Sequence, residues 1–289
     1  MATEVRALLD EGAARLGRVA DDPRREAEVL LAAALGRTRA WLLANPGERI
    51  LDCEATDRYE AFVTRRMHGE PVAYLLGEKE FWSLPLAVGP GVLIPRPETE
   101  LLVERALGRL PADRDCAVLD LACGSGAVAL AIASERPRCR VVATDLSPAA
   151  VATARVNAAR LGLTDRVTVL EGEWYAPVAG RRFDVIACNP PYIANDDPRV
   201  EPAVRRFEPP AALFAGPSGL EAISMVVAGA PQHLAHGGWL VVEHGDTQGE
   251  PVRAAFAAAG CMDVQTHRDL AGRERCTEGR IGVALERGG

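Results

Sequence analysis

The sequence predicts an α/β protein in which a mostly parallel, doubly wound sheet follows a small all-α domain. Three features of the chain support this fold class. Strand-like apolar runs alternate with helical segments after Pro111, the first 77 residues show helical periodicity only, and a hairpin-like segment separates the two parts. We therefore expect a helical domain at 1–77, a β-hairpin linker at 78–97 and an α/β domain at 98–289.

The first domain has the pattern of a small helical bundle. Apolar residues follow helical spacing between Val5 and Leu16, and Asp22-Pro23 has the form of an N-cap followed by proline in the first turn. The apolar run 29–35 and the segment 57–68 predict two further helices, each followed by a glycine. The bundle carries no catalytic motif, so it serves either packing or the recognition of a partner.

Apolar spacing also predicts the elements of the linker and of the α/β domain. Residues 81–88 alternate as a strand does, Gly89-Pro90-Gly91 predicts a turn, and 92–94 is interpreted as the return strand. A helix is predicted to begin near Pro97. Beyond it we expect strands at 117–121, 140–144, 167–170, 183–188 and 238–244, a helix at 248–259, and two weaker strands around Val264 and at 281–285.

Composition argues against several classes of protein. The chain has 289 residues, 48% of them hydrophobic, but it contains no apolar run near the ~20 residues of a membrane span. A net charge of −7 and a pI of about 5.4 disfavour non-specific binding to nucleic acid. Seven cysteines without a Cys-x-x-Cys pair, and five histidines without shared-face spacing, predict no disulfide framework and no metal site. We expect a cytoplasmic protein with no membrane contact.

The most informative motif is Asn189-Pro190-Pro191-Tyr192, which follows the apolar run 183–188. In open α/β sheets, ligands bind at the carboxyl ends of strands. The Asn189 side-chain oxygen and the Pro190 backbone carbonyl can each accept one N–H of a planar NH2 group, and Tyr192 offers an aromatic face. The alternative is a proline-stiffened strand exit without chemistry. We interpret the motif as a binding site for the NH2 group of an amide or a base.

A second motif predicts the cofactor. Residues 122–126, which include Gly124 and Gly126, form a glycine-bearing turn between a strand and a helix, and Asp145 ends the next strand, where it can accept hydrogen bonds from ribose hydroxyls. These features suit a dinucleotide or an adenosyl ligand. Two observations favour S-adenosylmethionine. The fingerprint G-x-G-x-x-G is not present, and an NH2 group bound by the Asn189–Tyr192 motif would be an acceptor for a methyl group. Trp174 is expected either to stack on adenine or to pack as an ordinary aromatic residue.

The chain resembles the bacterial protein-(glutamine-N5) methyltransferases of class I peptide chain release factors. The resemblance extends nearly end to end, and the blocks that carry it are 77–86, 94–100, Asn189 to Tyr192, Glu243-His244-Gly245 and Gln248-Gly249. It implies a Rossmann-like class I methyltransferase domain after the helical domain and the hairpin. It also implies a substrate, the glutamine of the Gly-Gly-Gln loop of release factors, methylated on its side-chain nitrogen.

The resemblance also implies the residues of the site. Cofactor contacts fall on Ala122, Cys123, Gly124, Ser125, Gly126, Asp145, Trp174 and Asn189, and glutamine contacts fall on Asn189, Pro190, Pro191 and Tyr192, with Phe81 closing the pocket. Asn189, Pro190 and Tyr192 are the expected catalytic residues. Ala122 stands where many relatives have glycine, and alanine should fit there if its φ is negative.

Three other functions remain open at this point. An N6-adenine or N4-cytosine DNA methyltransferase uses the same tetrad on a flipped base, although the acidic balance of the chain argues against it. A non-catalytic module that binds release factors would keep the fold, but it would not need Asn189. A nicotinamide dehydrogenase is the weakest alternative because the dinucleotide fingerprint is missing.

Overall fold

The computed structural model describes residues 3–282. The helices are α1 (Val5–Leu16), α2 (Pro23–Leu35), α3 (Arg39–Ala44), α4 (Cys53–Met67), α5 (Val72–Leu76), α6 (Glu100–Arg109), α7 (Ala127–Glu135), α8 (Pro148–Arg160), α9 (Pro202–Phe207), α10 (Glu221–His233) and α11 (Gly249–Ala258). The strands are β1 (Thr3–Glu4), β2 (Arg49–Ile50), β3 (Glu78–Phe81), β4 (Leu84–Ala87), β5 (Cys116–Leu121), β6 (Cys139–Asp145), β7 (Val167–Glu171), β8 (Phe183–Cys188), β9 (Leu234–Glu243), β10 (Cys261–Arg268) and β11 (Glu274–Ile281).

The chain forms two compact units. One comprises the residues up to Glu78 together with α9, and the other comprises Lys79–Glu201 together with the residues from Glu208 onward. The proposed domain boundaries at 77/78 and 97/98 stay a prediction. Within 3–282, none of the helices combines the length and the apolar character that crossing a membrane would require.

The first unit is a helical bundle whose core is built from the apolar faces of α1, α2 and α4. The α2 helix begins where the sequence indicates, because the Asp22 side chain accepts a hydrogen bond from the Arg25 N–H at 3.0 Å and Pro23 occupies the first turn. Tyr59 is fully buried and donates to the Leu8 carbonyl at 3.1 Å. A Cβ at Gly12 would lie 1.9 Å from the Tyr59 hydroxyl oxygen, so only glycine fits there.

The hairpin differs from the sequence prediction. Its strands are β3 and β4, its tip is Trp82-Ser83, and 92–94 is not a strand. Both tip residues have positive φ, 52° and 57°, the backbone that a two-residue hairpin turn of type I′ requires. Asparagine or glycine usually supplies this conformation. Here the Trp82 N–H donates to Glu100 Oε1 at 3.0 Å and the indole N–H donates to Glu135 Oε1 at 2.9 Å, which stabilises the turn without them.

The second unit contains the predicted doubly wound sheet. Among the described residues, seven strands pair in the order β10-β11-β9-β8-β5-β6-β7; the strands β5 to β9 are parallel, and β11 is antiparallel to both its neighbours. Both faces are buried, since Val118 packs into the cluster under α6, α7 and α8 while Leu119 packs into the cluster under α10 and α11. The α/β fold class is confirmed. The last strand ends at Ile281, so the predicted strand at 281–285 lies mostly outside the described residues.

Candidate active site

The loops that follow β5, β6, β7 and β8 meet at one cavity of about 330 Å³. In the sheet, β6 and β7 lie on one side of β5, and the next strand in the chain, β8, lies on its other side. The carboxyl ends of β5 and β8 therefore flank the topological switch point, where open α/β sheets bind ligands. The volume lies at the small end of the ~300–1,000 Å³ typical of ligand pockets. Of the predicted cofactor residues, those that line the cavity are Ala122, Cys123, Gly124, Ser125, Asp145, Trp174 and Asn189.

The turn after β5 is built from left-handed backbone. Ala122 has φ 56°, Gly124 φ 55° and Gly126 φ 82°. The condition under which alanine was expected to fit, a negative φ, is not met: Ala122 occupies a left-handed conformation that costs an L-residue roughly 1–2 kcal/mol. Gly126 does not line the cavity. It is the N-cap residue of α7, where a Cβ would lie 3.2 Å from both Ala154 Cβ and Leu130 Cδ1, so its role is close packing of the helix.

Two aspartates form the acidic wall of the cavity. Asp145 accepts hydrogen bonds from the Gly124 N–H and the Ser147 N–H, each at 2.8 Å, and burial raises the pKa of its carboxyl. Each oxygen keeps a second lone pair, which leaves room for ribose hydroxyls. Asp120 is 1% exposed and accepts from the Ala129 N–H at 2.9 Å. Burial, with a smaller contribution from the charge of Asp145, raises the pKa of Asp120 to about 8.

Trp174 lies three residues after the end of β7 at Glu171 and is half-buried in the cavity lining. Its φ of 44° is again left-handed, and its carbonyl accepts a hydrogen bond from the Thr144 hydroxyl at 3.4 Å. Strained backbone of this kind is concentrated at ligand sites. Stacking of Trp174 on adenine stays a prediction.

The tetrad after β8 is divided between the cavity and the protein interior. Asn189 and Pro191 line the cavity, whereas Pro190 is buried behind them. The Asn189 side-chain N–H donates to the Thr99 hydroxyl oxygen at 3.1 Å. Tyr192 is not in the lining, because its ring packs against the core and its hydroxyl donates to Glu243 Oε1 at 3.1 Å.

Phe81 does not close the pocket as predicted. It is 2% exposed and lies in the core beside Leu86 and Leu102. The physical reason is the alternation of β3, which turns Glu80 toward solvent and Phe81 inward.

Sequence reasoning gave no role to Thr99 or Glu243, although both lie in the blocks that carry the resemblance. Glu243 is the last residue of β9 and is 1% exposed. Burial raises the pKa of its carboxyl to about 7, although the hydroxyls of Thr99 and Tyr192 act in the opposite direction and lower it. Gln248 holds the same loop from another side, since its amide N–H donates to the Tyr192 carbonyl at 2.9 Å. A charged residue at the end of an apolar strand, as at Glu243, was the available signal.

Charge decides which ligand the cavity suits. The carboxyl groups of Asp145 and Glu173 line it, together with Asp120, which its pKa of about 8 keeps mostly neutral at pH 7. The basic residue in the lining, Arg96, is engaged by the buried Glu208 at 2.5 Å. An acidic wall of this kind fits a ligand that carries positive charge. The residues present therefore fit S-adenosylmethionine, whose sulfonium is cationic.

Comparisons with known proteins identify the family. Residues 7–77 match the family model of the PrmC N-terminal domain, and residues 97–214 match that of the Methyltransferase small domain. The release factor glutamine methyltransferase of Escherichia coli (strain K12) is 47% identical over 91% of this chain and 94% of its own length. The chain belongs to the release factor glutamine methyltransferase family. A second relative of that name, from Pseudomonas aeruginosa, is 50% identical over 89% of this chain and 92% of its own.

Membership of this family confirms that the chain is an S-adenosylmethionine-dependent methyltransferase. A solved methyltransferase from Pyrococcus furiosus, 19% identical with a TM-score of 0.54 over 76% of this chain and 98% of its own, shares the fold. The DNA methyltransferase alternative is not favoured by these relatives.

Proposed function

We propose that this methyltransferase transfers one methyl group to the side-chain amide nitrogen of the glutamine in the Gly-Gly-Gln loop of class I peptide chain release factors. The observation that carries the proposal is the orientation of Asn189. Its amide N–H is engaged by Thr99 at 3.1 Å, while its Oδ1 accepts no hydrogen bond from the described residues. An acceptor is therefore available at the cavity for the NH2 group of a substrate.

The tetrad acts by positioning the substrate. A carboxamide nitrogen is a poor nucleophile because its lone pair is delocalised into the carbonyl. Asn189 Oδ1 accepts one N–H of the glutamine and the Pro190 carbonyl accepts the other, which fixes the nitrogen and favours the positive charge that develops on it. Pro190 contributes no N–H of its own, so it cannot compete for these acceptors.

S-adenosylmethionine supplies an electrophilic methyl carbon bound to a sulfonium. When it is bound, its methyl carbon would pass to the glutamine nitrogen, its sulfur would keep the electron pair of the broken C–S bond, and the amide would lose one N–H proton to solvent. Around this reaction Asp145 and the turn 122–125 hold the ligand, and Pro191 and Trp174 narrow the cavity. Tyr192 lies outside the cavity lining, and its hydrogen bond to Glu243 fixes the loop that carries Asn189.

The release factor is a protein partner, so a surface for protein contact supports the proposal. In the helical unit Leu43 is 60% and Leu51 is 80% exposed, so these two apolar side chains are accessible to a partner. We assign recognition to the helical domain at 1–77 and propose that the protein acts in the cytoplasm, without direct contact with nucleic acid.

The test is mass spectrometry of a purified release factor incubated with the protein and S-adenosylmethionine. We expect one added methyl group on the Gly-Gly-Gln glutamine.

Asn189→Asp should lower kcat by at least about 100-fold with little change in thermal midpoint, because it loses the donor to Thr99 and adds charge at the acceptor. Asn195→Asp, an exposed site outside the cavity lining, is the matched control. Near-normal turnover in Asn189→Asp, or methyl transfer to duplex DNA instead, would refute the proposal.

A further inference from the structure

Glu243 is a buried carboxyl group beneath the tetrad that methyl transfer as described above does not use. Cys188 of β8 is paired with Val242 of β9, so Asn189 and Glu243 are the next residues on two neighbouring parallel strands. Glu243 Oε1 accepts from Tyr192, whereas Oε2 is buried without a hydrogen-bond partner among the described residues. Unsatisfied buried carboxylate oxygens are rare, because each costs free energy.

Thr99 connects this carboxyl group to Asn189. Thr99 is 4% exposed, its hydroxyl accepts from the Asn189 side-chain N–H, and it lowers the pKa of the Glu243 carboxyl. A hydroxyl has a single proton to donate. Among the described residues this proton has no acceptor at hydrogen-bond distance, and the buried Glu243 Oε2 has no donor. If the ionised carboxylate receives this proton, Thr99 can only accept from Asn189.

The direction of these hydrogen bonds sets the face that Asn189 shows to the cavity. While its NH2 group donates to Thr99, its oxygen is left to accept from a substrate amide in the cavity that Asn189 lines. A protonated Glu243 would donate to Thr99. The Thr99 proton would then be free for the Asn189 oxygen, and the side-chain amide would turn its own NH2 group toward the substrate NH2. Two NH2 groups that face each other cannot form a hydrogen bond, because both are donors.

We propose that Glu243 is a positioning residue that fixes, through Thr99, the orientation of the Asn189 amide, and that its ionised form is the active one. This inference rests on the proposed function, since it assumes that the cavity-facing oxygen of Asn189 receives the glutamine amide. Glu243 itself touches neither substrate nor cofactor.

The groups around Glu243 place its titration near neutral pH. Burial raises the pKa of the carboxyl to about 7; the hydroxyls of Thr99 and Tyr192 and the guanidinium of Arg275 on β11 lower it, and the charge of Glu98 raises it. The neighbouring thiols, Cys188 on β8 and Cys276 on β11, have pKa values raised by burial and stay neutral.

Three variants of the full chain separate positioning from a structural role. Glu243→Gln cannot titrate, Thr99→Val keeps the shape of the side chain but removes the hydroxyl, and Thr99→Ser restores the hydroxyl. For each, kcat and KM for the release factor are measured between about pH 5.5 and about pH 8.5, where the carboxyl titrates. The dissociation constant of S-adenosylmethionine is measured by calorimetry.

We expect wild-type kcat to rise with pH through the pKa of Glu243, and this acid limb to be missing in Glu243→Gln. Thr99→Val should lose roughly 100-fold in kcat, with KM and the cofactor dissociation constant nearly unchanged, and Thr99→Ser should recover most of the loss. The double variant Glu243→Gln/Thr99→Val should be no worse than Thr99→Val, because both act through one chain of hydrogen bonds. An unchanged acid limb in Glu243→Gln, or full activity in Thr99→Val, overturns the inference.

A spectroscopic readout separates failure of this inference from failure of the proposed function. In the ligand-free protein the side-chain NH2 signals of Asn189, observed by ¹⁵N–¹H NMR, should shift with pH in the wild type and stay constant in Glu243→Gln. An invariant wild-type signal contradicts the role of Glu243. Absence of methyl transfer by the wild type would instead contradict the substrate assignment, and the NMR result would still decide the orientation.

Discussion

Asn157 on α8 should be essential both for stability and for the shape of the cofactor cavity. The side chain is fully buried. Its oxygen accepts from the Ala87 N–H at 2.7 Å, and its amide N–H groups donate to the Ala87 carbonyl at 3.0 Å and to the Ser125 carbonyl at 2.9 Å. One side chain therefore fastens the hairpin to the turn that lines the cavity. Asn157→Ala removes all three bonds and leaves three backbone groups without these partners.

The size of the effect follows from these bonds. At roughly 1 kcal/mol for each intramolecular hydrogen bond, the free energy of unfolding should fall by about 3 kcal/mol. For a folding unit of this size, that corresponds to a decrease in thermal midpoint of roughly 6–12 °C. The affinity for S-adenosylmethionine should also fall, because the Ser125 carbonyl loses its fixed position at the cavity.

Urea unfolding followed by circular dichroism measures the change in free energy, and calorimetry measures cofactor affinity. Thr153→Ala is the matched control, since among the described residues the Thr153 hydroxyl donates only to the Ala149 carbonyl, one turn earlier in the same helix. If the stability of Asn157→Ala lies within about 0.5 kcal/mol of that control, a typical surface effect, the assigned role is wrong.

Two further predictions concern a buried charge and strained backbone. Because the folded pKa of Asp120, about 8, exceeds its ordinary value, the stability that its neutral form contributes is present below the unfolded pKa and is lost as pH rises through 8. The unfolding free energy of the wild type, measured with urea, should therefore fall by about 3 kcal/mol relative to that of Asp120→Asn as the pH rises from 5 to 8. A difference between the two proteins that does not change with pH would contradict this. Ser83→Gly, at an exposed residue with φ 57°, should raise the unfolding free energy by about 0.5–1 kcal/mol, whereas Ala122→Gly, at a half-buried residue, should gain less. Destabilisation by Ser83→Gly in thermal unfolding would show that its left-handed backbone is not strained.

The parts of the site that could be predicted are those that depend on neighbours in sequence. The strand at 183–188 was predicted with the bounds of β8, because a mostly apolar run that is followed by Asn189 and two prolines has few other conformations available. The turn at 122–126 and the position of Asp145 at the end of β6 follow from the same local patterns.

The parts that could not be predicted depend on contacts between distant residues. Asn189 and Thr99 are separated by 90 positions and Tyr192 and Glu243 by 51, and no local pattern relates them. The hairpin turn was misplaced for the same reason. Trp82-Ser83 contains neither the glycine nor the asparagine that usually supplies positive φ, and its conformation is stabilised by Glu100 and Glu135 from elsewhere in the chain.

A crystal structure of the protein with S-adenosylhomocysteine and a peptide containing Gly-Gly-Gln tests the central claim most directly. The glutamine amide nitrogen should lie about 3 Å from both Asn189 Oδ1 and the Pro190 carbonyl oxygen, on the side of the ligand sulfur. If the Asn189 side chain instead points away from the sulfur, with no space for a planar amide between them, the proposed mechanism is contradicted.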